Sequence, residues 1–167
     1  RGRGQAYGSA GRPVLTGLPG AGNRQGAGNP RGGGVVRIEA RRFHLNGGEL
    51  RANGGNGGDR GANFRAGASG GSVYVRALTF TGGGGILRAR GGDGSPWGSS
   101  FSHDWSAASG GGGRIAVWKA RGDEDFAIDV AAGDVKYAVT DAQRRRIGEE
   151  GTYYSGVLSP GTKIVIR

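Results

Sequence analysis

Glycine recurs 40 times in the 167 residues of this chain, so almost no stretch of backbone is long enough to build an ordinary helix. Each Gly in a helix interior costs about 1 kcal/mol relative to Ala. Only Asp134 to Ile147 offers a long Gly-free window that keeps a 3.6-residue period. Gly and Pro together make 45 residues, far above the roughly 12% of ordinary proteins, while apolar residues are only 35%. A helical or two-layer α/β domain around one large core is poorly supported by these figures.

The glycines mark a repeat. Gly34, Gly71, Gly113 and Gly151 occupy corresponding places, 37, 42 and 38 residues apart, so one unit is about 40 residues, the size of a single supersecondary element. Each unit reads strand, short turn, strand, long Gly-rich loop. Both strands alternate with period 2: Val36, Ile38 and Ala40 against Arg37, Glu39 and Arg41, then Val73, Val75 and Ala77 against Tyr74 and Arg76. Such narrow apolar faces are buried only when units stack. The turns Asn46-Gly47-Gly48 and Gly82-Gly83-Gly84 supply the positive φ that a tight reversal requires. The long loops, such as Ala52 to Gly71 and Arg90 to Gly113, fit best if they lie flat on their neighbours, where missing side chains let backbones approach.

These features predict an all-β, Gly-rich parallel β-solenoid, or β-helix, of about four repeats of roughly 40 residues with long Gly-rich loops and a C-terminal capping unit. One continuous domain is expected, with 1–31 a partial N-terminal repeat and Gly-rich loop, 32–122 the repeats, and 123–167 the last repeat and cap. The cap includes a helical turn over Val139 to Ile147, and Val14 to Leu18 reads as a strand of an incomplete first unit. Gly110-Gly111-Gly112-Gly113-Arg114-Ile115-Ala116-Val117, Gly70-Gly71-Ser72-Val73-Tyr74-Val75 and Leu50-Arg51-Ala52-Asn53-Gly54-Gly55-Asn56-Gly57-Gly58 together resemble the Gly-rich β-helix repeats of large bacterial secreted or surface proteins. The resemblance spans residues 30 to 120, implies an extracellular architecture, and carries no catalytic motif.

Cys and Met are both absent. Without Cys there is no disulfide framework, Cys-based zinc site or thiol nucleophile. Without Met, the expectation is a processed piece of a longer precursor. No stretch approaches the roughly 20 apolar residues of a membrane span. The net charge is +10, and 20 of the 23 basic residues are Arg. They alternate with apolar residues more often than they cluster, as on the solvated faces of strands, and the charge leaves an acidic polysaccharide open as a partner.

Motifs that carry chemistry are few, and no cofactor is implied. Gly54-Gly55-Asn56-Gly57-Gly58-Asp59 begins like a calcium-binding nonapeptide, with Asp59 as the ligand, but it lacks the expected apolar residue and a tandem copy. Asp123, Glu124 and Asp125 alternate between faces if extended. Arg1-Gly2-Arg3-Gly4 has the form of an RNA-binding tail, which the strong alternation elsewhere argues against, and Arg121-Gly122-Asp123 is an adhesive tripeptide in form only. His44 and His103 are the only histidines, and no nucleophile, base or metal cluster forms around either. The loop holding Trp97, Phe101, His103, Asp104 and Trp105 is the candidate glycan contact.

The expected function is therefore an extracellular structural protein that is not an enzyme and associates with itself into a filament or surface layer. Val14 and Leu15 at one end, and Lys163, Ile164, Val165 and Ile166 at the other, are the candidate contacts, because strand addition needs mainly backbone hydrogen bonds. A polysaccharide-binding or polysaccharide-cleaving module is the alternative.

Overall fold

The computed structural model describes residues 9–21, 29–58, 65–95, 107–122, 125–135, 147–159, 161–162 and 164. The alternating segments form β1 (Val35–His44), β2 (Glu49–Arg51), β3 (Ser72–Thr81), β4 (Gly83–Arg88), β5 (Arg114–Arg121), β6 (Asp125–Asp129) and β7 (Thr152–Val157). The chain alternates between two parallel sheets, one ordered β1-β3-β5-β7 and the other β2-β4-β6. Register brings like positions together: Val36, Val73 and Ile115 lie abreast, as do Ile38, Val75 and Val117, and Leu50, Leu87 and Ile128 match in the second sheet. At and beside the turns that carry the chain from one sheet to the other, positive φ falls on Gly47, Gly82 and Gly84.

A thin apolar core is made by the inward positions. Val73, Val75, Ile115 and Val117 from the first sheet meet Leu87 and Ala89, with Leu45, Ala52 and Phe80 closing the cluster. Phe80 is flanked by Phe43 and Phe126 with ring centroids 5.1 and 4.9 Å away, and this aromatic row closes the end of the core beside the turns.

The expected four-repeat β-solenoid with a C-terminal cap is corrected by the sheets: they are small, with four and three strands. The fourth unit gives β7 to the first sheet and, among the described residues, nothing to the second. Val14 to Leu18 is not a strand, and the helical turn expected over Val139 to Ile147 lies outside the described residues except for Ile147. The strand pattern does not carry the architecture, because much of the backbone pairing lies in glycine-rich segments that show no alternation.

Those segments are ordered, and they pair with a period of three. In 65–71, Ala66 and Ser69 donate their N–H groups to Ala21 and Leu18, Gly67 and Gly70 donate to Ala108 and Gly111, and Ala68 and Gly71 donate to Gly55 and Ala52, all at 2.7 to 3.0 Å. Every third residue thus faces the same neighbour, the geometry of a left-handed helix with three residues per turn and no internal hydrogen bonds. Segments 89–95 and 107–113 run antiparallel in the same manner: Ala107, Gly110 and Gly113 donate to Ser95, Gly92 and Ala89. The result is a lattice of three-fold segments, each bonded to several others, that extends both sheets.

Glycine is required where these segments touch. A Cβ on Gly67, Gly70, Gly92 or Gly110 would come well under 3.0 Å from a neighbour's carbonyl oxygen, whereas one on Gly34 would meet nothing within 4 Å. Overpacking of a filled interior costs about 1–3 kcal/mol, and here the obstructing atoms are backbone. Gly92→Ala and Gly110→Ala are therefore expected to lower the thermal midpoint by several degrees, with Gly34→Ala close to wild type, as measured by circular dichroism melting. In the apolar core, Leu87→Ala should cost about 2–5 kcal/mol.

Candidate functional site

Residues 9–21 form a strap over the outer face of the four-stranded sheet, and the spacing Pro13, Gly17, Gly20 determines how it lies. All three are buried, and a Cβ on Gly17 or Gly20 would collide with the backbone of Ser69 or Ala66. Trp118 Nε1 donates to Gly11 O at 2.6 Å, Ser72 Oγ donates to Leu15 O at 2.6 Å, and Leu18 N donates to Ser69 Oγ at 2.6 Å. Gly17 and Gly20 add bonds to the carbonyls of Gly33 and Pro30. The strap thus runs from β5 back to β3 and into the lattice.

Its other side carries apolar residues into solvent. Val14, Leu15 and Leu18 are 47%, 45% and 59% exposed, and Val35 at the start of β1 is 39% exposed. Val35 pairs with Ser72, the residue that holds Leu15, so strap and strand contribute to one patch. The patch borders β1, whose second edge meets no strand among the described residues.

The lattice is open on this same side. The carbonyls of Ser69, Arg90 and Asp93 each accept an N–H, from Gly33, Gly54 and Gly57. The register equivalents one unit earlier are Gly32, Asn53 and Asn56, and their carbonyls accept none among the described residues. The side chains of Asn53 and Asn56 point the other way: their Oδ1 atoms accept from the N–H groups of Arg90 and Asp93. Asp93 Oδ1 in turn accepts from Asp134 N at 2.9 Å, continuing the ladder.

Charged groups of the sheet faces are largely paired. Glu39 holds Arg37 and lies 3.9 Å from Arg76. Glu49 takes Arg51 through two hydrogen bonds at 3.0 and 2.7 Å, with Arg88 at 3.4 Å reaching on towards Asp129. The hydrogen bond from Arg51 holds the Glu49 carboxyl below its ordinary value of 4.5, partial desolvation opposes this, and the charges of Arg51 and Arg88 add to the lowering. Arg51 is correspondingly raised, first by that hydrogen bond.

The glycan candidates Trp97, Phe101, His103, Asp104 and Trp105 lie outside the described residues, as do Asp59, Lys163, Val165 and Ile166. Of the proposed association residues, Val14 and Leu15 are exposed and Ile164 is buried. His44 Nδ1 sits 3.1 Å from Thr81 Oγ1, an exposed pair across β1 and β3. Among the described residues no group of three or more His, Cys, Asp or Glu could hold a metal ion, and no helix is long and apolar enough to cross a membrane. Sequence reasoning missed Leu18, Val35 and the open carbonyls. The three-residue step from Gly17 to Gly20 was the available signal for the strap.

Compared with known proteins, the chain matches no family model, no curated protein sequence and no solved structure.

A group whose pKa is depressed by folding stabilises the fold above its unfolded value and loses that contribution as pH falls through its folded value. Glu49→Gln is therefore expected to melt slightly below wild type at neutral pH and together with it in acid. Parallel melting curves followed against pH check this, and a gap that persists in strong acid contradicts it.

Proposed function

We propose that the chain is an extracellular structural protein, not a catalyst, and that it associates with copies of itself into a filament or layer. The observation that carries this reading is the coincidence on one side of the molecule of three features that are open among the described residues: the edge of β1, the apolar patch of Val14, Leu15, Leu18 and Val35, and the carbonyls of Gly32, Asn53 and Asn56. An uncovered strand edge is a template for another strand, and backbone pairing demands little side-chain specificity. The carbonyls add a requirement for N–H donors spaced three residues apart, which this chain's own glycine-rich segments have. A repeated contact that does not close on itself produces a fibre.

Negative-stain electron microscopy and sedimentation velocity over a concentration series test the reading. Wild type is expected to form assemblies that grow with concentration, and the double variant Leu15→Lys, Leu18→Lys to remain monomeric with an unchanged melting curve. Wild type that stays a single monomeric species throughout would sink the proposal.

A further inference from the structure

The outer face of the four-stranded sheet has a second feature, independent of the β1 edge. Alternation along the strands places Arg37 and Glu39 of β1, Tyr74 and Arg76 of β3, Ala116 and Trp118 of β5, and Tyr154 and Gly156 of β7 on this face, and the register sets Glu39, Arg76, Trp118 and Gly156 side by side. The strap covers the part of the face around Tyr74 and Ala116, which are buried, and reaches Trp118 and Tyr154 at Gly11. Beyond it, no other segment among the described residues crosses this face.

Trp118 and Tyr154 form a tilted pair there, with ring centroids 5.1 Å apart. The position opposite Trp118 has to be glycine: a Cβ on Gly156 would come within 2.7 Å of the Trp118 ring and 2.9 Å of the Tyr154 ring. Missing bulk at Gly156 and Ala116 thus makes room for two large rings on a flat sheet. Tyr154 is 38% exposed, and the Trp118 indole N–H is already satisfied by Gly11 O, so the pair offers apolar ring surface.

Beside the rings stand Arg76 and Glu39. Arg76 meets Glu39 only at 3.9 Å, and a guanidinium has five N–H donors in a fork that matches a carboxylate. Glu39 supplies acceptors for hydroxyl groups. We propose that this patch binds an anionic polysaccharide: a sugar ring lies on Trp118 and Tyr154 by its apolar face, its carboxylate meets Arg76, and its hydroxyls donate to Glu39. The net charge of +10 and the exposed Arg41, Arg42 and Arg121 at the strand ends favour a polyanion. The Glu39 carboxylate, next to Arg76 at the β1 end of this row, disfavours the denser phosphates of a nucleic acid.

Affinity gel electrophoresis of the full chain in gels containing polygalacturonate, with dextran gels as the neutral control, tests the proposal. Wild type is expected to be retarded by polygalacturonate and not by dextran, and Tyr154→Ser and Arg76→Gln each to weaken the apparent affinity about tenfold, a difference of about 1.4 kcal/mol. Both residues are partly exposed, so the two variants report on binding even if Trp118→Ala fails to fold, and Trp118→Phe should retain more affinity than Trp118→Ala. The self-association variant Leu15→Lys, Leu18→Lys should still be retarded by polygalacturonate at least as strongly as wild type, since neither residue lies in the ring patch and the added charge favours a polyanion. Undiminished retardation of Tyr154→Ser, equal retardation by dextran, or stronger binding of oligo(dT) than of polygalacturonate would each overturn the assignment.

Discussion

Where glycine has no Cβ, one backbone can approach another closely enough to hydrogen-bond on several sides, and this chain depends on that approach. A strand has two edges and bonds two neighbours. A three-fold segment directs successive N–H groups to three neighbours, as 65–71 does towards 18–21, 52–55 and 108–111. Buried backbone groups must find partners, and here they find them outside β-strands and α-helices. Each such bond contributes a net 0.5–1.5 kcal/mol or so, while ordering glycine costs more entropy than ordering any other residue, so the lattice holds through the number of its bonds.

Much of the remaining structure follows from this arrangement. The lattice supports the start of β3 and β5 and the end of β4, because residues 70–71, 112–113 and 89–91 pass directly from three-fold segment to strand. It lets the core be thin: Val73, Val75, Ile115, Val117 and Leu87 fill a narrow space, and no helix covers the sheets among the described residues. The strap uses the same logic, with Gly17 and Gly20 facing inward and Leu15 and Leu18 outward. The open carbonyls of Gly32, Asn53 and Asn56 are where the described lattice stops.

The strands were legible because period-2 alternation is a local signal: Val36-Arg37-Ile38-Glu39 and Val73-Tyr74-Val75-Arg76 announce their faces without reference to the rest of the chain. Gly47, Gly82 and Gly84 were legible for a similar reason. The architecture was not. A three-fold glycine segment has no side-chain contrast by which its neighbours could be recognised, so Gly54-Gly55-Asn56-Gly57 reads as a loop although Gly54, Gly55 and Gly57 all donate to other segments. The strap failed to stand out because its ties are long-range, that of Trp118 to Gly11 spanning 107 residues. The aromatic patch depends on Gly156 lying opposite Trp118, a matter of register that composition does not carry.

Amide hydrogen exchange followed by NMR tests directly whether the glycine-rich segments are a hydrogen-bonded core and not loops. Exchange protection reports the free energy of local opening. The N–H groups of Gly67, Gly70, Gly92 and Gly110 are expected to exchange as slowly as those of Val75 and Val117 in the sheet, with Asn46, exposed in its turn, fast. Exchange of those four glycines at the rate of an unprotected chain, with the strands still protected, would contradict it.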